Sequence, residues 1–114
     1  MSEKPFDDEK ARIRDLNDFF RASGIGGNIL ATQGIQELPT TDQAAILAKI
    51  RFFNDFTTAN DPYGEHDFGS IDHDGHKVFF KIDYYDQDLK NHSENPADPI
   101  KTKRVMTIML ACEY

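Results

Sequence analysis

The chain has 114 residues, 39% of them hydrophobic and 9 of them Phe, enough for one modest core, which excludes wholesale disorder. Its net charge is −7, and the segment from Asn54 to Asp98 alone carries −8, from 11 acidic and 3 basic residues. Such a surface lacks the basic footprint of a nucleic-acid binder and suits a basic protein partner or a divalent cation.

No apolar run approaches the roughly 18 residues of a membrane-spanning helix. The polar N-terminus also lacks a signal peptide's apolar segment, which predicts a cytoplasmic protein. The lone cysteine, Cys112, excludes an intrachain disulfide, and its apolar neighbours predict a small core residue.

Residues 1–5 read as a flexible tail on a single domain spanning 1–114. From Phe6 the spacing of Ile13, Leu16, Phe19 and Phe20 predicts an amphipathic helix. Asp7 or Asp8 is expected to cap its start, and Ser23-Gly24 to stop it. Gly24-Ile25-Gly26-Gly27 invites a phosphate-loop reading, but it precedes the strand-like 28–32 and not a helix, so a tight turn suffices. A second helix is expected from about Thr40, with Gln43 completing a capping box, to about Phe56; Ile46, Leu47, Ile50 and Phe53 line one face.

The segment from Asn60 to Tyr85 dominates the chain. It opens with the breaker-rich Asn60-Asp61-Pro62-Tyr63-Gly64, and Asp74-Gly75 then separates two strand-like runs, which predicts a β-hairpin with a type I′ turn. That turn pairs Ile71 with Val78, Gly69 with Phe80, Phe68 with Lys81 and His66 with Asp83. Val78, Phe80, Ile82 and Tyr84 then share a buried face. His66, Phe68, Ser70, Phe79, Lys81, Asp83 and Tyr85 share the other, and a slip of one residue would exchange the two. Residues 86–99 are polar and read as a surface loop. Thr102–Tyr114 is apolar on both faces, as a central strand would be.

Three functional arrangements can be built on the hairpin. His66, Asp67 and Asp83 offer metal-ligand chemistry, although neighbouring residues of a strand point apart. His66 opposite Asp83, with Lys81 beside them, resembles a general-base pair, but Ser70 lies about 13 Å along the strand and no nucleophile is at hand. The third is an acidic docking surface of Asp61, Tyr63, Glu65, Asp67, Asp83, Tyr85, Asp86 and Asp88, in which amphipathic tyrosines suit an interface.

The Leu16-Asn17-Asp18 helix, Thr32-Gln33-Gly34-Ile35, the run from Asn60 to Gly69, Lys81-Ile82-Asp83-Tyr84-Tyr85-Asp86 and Arg104–Leu110 together resemble a family of small bacterial proteins classed as a domain of unknown function. Members are often carried on plasmids and other mobile elements. The resemblance covers nearly the whole chain and implies no established activity and no catalytic residues; it departs at Cys112, where a more polar residue is expected.

The expectation is an α+β fold, with two helices packed on one face of a small, mainly antiparallel sheet around a central β-hairpin. The residues favour an acidic protein-interaction module of a mobile element, without a cofactor, over an enzyme. Its sharpest form is an inhibitor of a host defence nuclease, anti-CRISPR or anti-restriction, that occupies a basic nucleic-acid-binding surface. The alternative is a small metal-dependent hydrolase built on His66, Asp67 and Asp83.

Overall fold

The structure, a computed structural model, describes residues 5–114, with side chains from Asp8 onward. Helix α1 (Pro5–Ser23) is followed by β1 (Gly27–Ala31), a short α2 (Gln33–Gln36) and α3 (Thr40–Arg51). The hairpin strands β2 (Phe68–His73) and β3 (His76–Tyr85) come next, then β4 (Lys103–Leu110) and a final 3-10 turn (Ala111–Glu113). The strands form one sheet in the order β1-β4-β3-β2, parallel only between β1 and β4, so the fold is α+β with a mainly antiparallel sheet.

Helices and sheet share one core. Ile13 and Phe20 of α1, Ile35 of α2, and Ile46 and Ile50 of α3 meet Val78, Phe80, Ile82 and Tyr84 of β3 and Met106 and Ile108 of β4. The expected hairpin register holds from Ile71↔Val78 to Phe68↔Lys81. Asp74 and Gly75 both have positive φ, 50° and 81°, as a type I′ turn demands. β4 is central, as its two apolar faces predict, with Val105 and Met109 buried on the side away from the helices.

Several boundaries differ from expectation. The residues expected as a tail lie outside the described region except Pro5, which opens α1, so Asp7 and Asp8 fall within the first turn of the helix. Phe19 is 55% exposed, because the core-facing line of α1 runs through Ile13, Asn17 and Phe20. Gly24, at φ 75°, ends the helix, and its N–H donates to the Phe20 carbonyl. Pro39, not Thr40, stands at the cap of α3, and its carbonyl accepts from Gln43 N–H. The Gln43 side chain donates to the carbonyls of Gln36 and Leu38, so no capping box forms.

Helix α3 also stops at Arg51, five residues early. Phe53 and Phe56 still reach the core, but from irregular backbone that returns them to Phe80 with edge-on ring contacts of 5.4 and 6.5 Å. Phe52 is left 86% exposed. Cys112 is exposed, because β4 has already ended and the 3-10 turn lifts it off the sheet. Among the described residues, no helix is long and apolar enough to cross a membrane.

Candidate functional site

The loop from Asn60 to Asp67 joins α3 to the hairpin, and its polar residues fold it on itself. Asn60 Oδ1 accepts from Thr57 N–H at 2.7 Å, and its amide nitrogen donates to the Asp55 carbonyl at 2.9 Å. Asp61 Oδ1 accepts from the N–H groups of Glu65 and His66 at 3.1 and 3.2 Å, and the Asp61 carbonyl accepts from Gly64 N–H. Short Asx side chains substitute for backbone partners in such turns. Gly64 and His66 take positive φ, 69° and 58°, which carries the chain out of the ladder one residue before Asp67, whose carbonyl still accepts from Ile82 N–H.

His66 therefore does not pair with Asp83. Its Nδ1 lies 2.8 Å from Asp18 Oδ1 and its Nε2 3.6 Å from Asp61 Oδ2, while its ring stacks on Phe56 with centroids 3.8 Å apart. Asp18 also accepts from Arg21 at 3.0 Å, and the Arg21 guanidinium lies 5.0 Å from the centre of the Phe56 ring. Asp83 instead lies 3.4 Å from Lys81, two residues along the same strand. The general-base arrangement of His66, Asp83 and Lys81 is not assembled. Among the described residues, no group of three His, Cys, Asp or Glu side chains is close enough to hold a metal, so His66, Asp67 and Asp83 form no such cluster.

A buried polar network lies behind the loop. Asn17, fully buried on α1, donates to the Glu65 carbonyl at 2.9 Å and to Tyr84 Oη at 2.7 Å. Tyr84 donates to the Glu65 carboxylate at 2.8 Å. Arg104 of β4 donates from Nε to Asn17 Oδ1 and from Nη2 to the Pro96 carbonyl, both at 2.7 Å, and lies 5.2 Å from the centre of the Tyr84 ring. Burial, with Glu65 adding, holds the Tyr84 phenol protonated far above the ordinary tyrosine range, and burial lowers the Arg104 pKa. Burial foremost, then Glu65, raises the Asp67 carboxyl. The network escapes a sequence reading because its members stand at positions 17, 65, 84 and 104; the available signal is a polar residue on each core-facing line.

The expected docking residues separate into two sets. Asp61 is buried and Glu65 is engaged by Tyr84, so both hold the loop. Tyr63 is 68% exposed, Asp88 is exposed, and Asp67, Asp83, Tyr85 and Asp86 are partly exposed. Asp86 accepts from Lys90 N–H at 3.0 Å, the main cause of its lowered pKa. On the sheet face away from the helices, Phe68, Phe79 and Tyr114 form an aromatic trio with centroids 5.1–5.8 Å apart. The acids beside that trio are matched: Asp72 lies 3.4 Å from Lys77, as Asp83 does from Lys81. Exposed Asp55, Asp74, Asp88 and Glu94 form no ion pair with any described residue.

Residues 31–113 match the family model described as a protein of unknown function, DUF3768. The chain belongs to the DUF3768 family. The matched segment runs from the last residue of β1 to the final 3-10 turn, so it holds the Asn60–Asp67 loop, the hairpin and β4. Asn17, Asp18 and Arg21 lie before it, so the contacts of Asn17 with Glu65 and of Asp18 with His66 come from a helix outside the DUF3768 match. No curated protein and no solved structure matches the chain.

Proposed function

We propose that this DUF3768 protein is a non-enzymatic, acidic interaction module of a bacterial mobile element that acts in the cytoplasm by docking on a basic protein surface. Its sharpest form is an inhibitor, anti-CRISPR or anti-restriction, that covers the nucleic-acid-binding surface of a host defence nuclease. The reading rests on two features of one chain: an aromatic sheet face of Phe68, Phe79 and Tyr114, and exposed loop acids, Asp55, Asp74, Asp88 and Glu94, that form no ion pair with any described residue. The aromatics supply contact area, and the unmatched carboxylates supply long-range attraction to a positive groove. The hydrolase alternative needs His66 and Asp83 together, and His66 is held instead by Asp18 and Asp61.

Capture from host lysate tests this, comparing the wild type with an Asp88→Lys/Glu94→Lys variant. The expected result is a basic, nucleic-acid-binding nuclease retained by the wild type, lost by the variant, and displaced from its nucleic acid when the protein is added. A captured partner that keeps its nucleic acid would refute the inhibitor form.

A further inference from the structure

The two edges of the sheet are finished differently. At the β2 edge, Lys49 Nζ donates to the Asp72 carbonyl at 2.9 Å, and the charged Asp72 stands in the strand itself. Charge on an edge strand discourages further pairing. The β1 edge has no such protection. Gly27–Ala31 holds no charge, no proline and no bulge, and it pairs only with β4 among the described residues. The Thr32 N–H donates to the Ile108 carbonyl, so strand alternation turns the N–H and C=O of Gly27, Ile29 and Ala31 outward. The Gln36 amide reaches the Ala31 carbonyl at 2.6 Å, but the outward groups of Ile29 have no partner among the described residues. Beside them lies an open groove of about 230 Å³, lined by Ile29 and Ala31 of β1 and by Ala44 and Leu47 of α3.

Charge identifies what fits this edge. The chain is 29% charged with a net −7, yet no residue from Ala22 to Gln36 is charged. A basic partner gains nothing from such an edge, whereas two copies of an acidic chain meet on it without opposing like charges. The edge is also its own complement, because the outward residues Gly27, Ile29 and Ala31 are spaced evenly about Ile29.

We propose that β1 pairs with β1 of a second copy, antiparallel about a two-fold axis at Ile29, joining the two four-stranded sheets into one. Ile29 then exchanges both backbone hydrogen bonds with its counterpart, and Gly27 does so with Ala31. The two Ile29 side chains lie side by side at the apolar grooves. On the other face Leu30, 53% exposed, stands opposite Asn28 of the second copy. Because the axis is normal to the sheet, both aromatic faces end on the same side.

The test is sedimentation of the full chain from about 1 μM to 1 mM, with hydrogen exchange of segment 27–31 at both ends of that range. The mass should rise from one chain to two with a midpoint of about 1–100 μM, as a small interface allows. Exchange in 27–31 should slow about tenfold or more as the dimer forms. Asn28→Lys/Leu30→Lys opposes like charges across the axis at two exposed positions, so it should unfold cooperatively and stay monomeric. Asn28→Glu/Leu30→Glu should do the same, and mixing the two variants should restore a dimer of one chain of each. A single-chain mass throughout overturns the proposal, and an extended peptide that then protects 27–31 would assign the edge to a foreign strand. A dimer that survives both variants, or that leaves 27–31 exchanging fast, overturns it as well, since the contact would lie elsewhere. A mixture that stays monomeric overturns the antiparallel pairing.

Discussion

Replacing Tyr84 by Phe deletes one oxygen, but that oxygen accepts from Asn17 and donates to Glu65, and Asn17 is fully buried. Leaving a buried donor without a partner costs about 1–3 kcal/mol, so Tyr84→Phe should lower unfolding stability by that amount in a urea titration. A neutral result would mean that water reaches the network. Asp67 acts in the opposite sense. Its folded-state pKa is raised, chiefly by burial, so its ionisation weakens the fold as pH rises through and above the ordinary aspartate value. Asp67→Asn should therefore raise the thermal midpoint at pH 7, and the advantage should vanish as pH falls below about 4, where the wild-type carboxyl is protonated in both states. Thermal melts across that range check the sign.

At the level of elements, the hairpin depends on a missing side chain. Gly69 stands opposite Phe80 in the register, and a Cβ there would collide with the Phe80 ring and sit 3.0 Å from Phe53. Gly69→Ala should cost about 1–3 kcal/mol through overpacking, measured by chemical unfolding. The hairpin and β4 were legible in the sequence for definite reasons: Asp74-Gly75 dictates the turn and hence the register, and an apolar run on both faces belongs in a sheet centre. The end of α3 was not legible, because Phe53 and Phe56 continue the apolar spacing after the backbone has left the helix. Nor was the partner of β1, since parallel pairing with β4 spans 77 residues and leaves no local signature. The Asn60–Asp67 loop stood out for its dense polar residues, but those residues mostly fold the loop. Local spacing does not reveal that Asp61 turns inward or that His66 leaves the strand for α1.

On the scale of the whole molecule, the two sides of the sheet carry different residues. One buries the shared core of three helices and the polar network that fastens the Asn60–Asp67 loop. The other carries the Phe68, Phe79 and Tyr114 rings, and exposed acids lie in the loops at 55, 74, 88 and 94. If the unmatched carboxylates drive docking, the attraction must be screened by salt, because exposed charges interact over only about 8–10 Å at physiological ionic strength. The most direct measurement is the affinity for the captured partner at low and high salt, for the wild type and for Asp88→Lys/Glu94→Lys. The account predicts that wild-type affinity falls by about tenfold or more as salt rises and that the variant binds weakly throughout with little salt dependence. Equal, salt-independent affinities for the two proteins would contradict it.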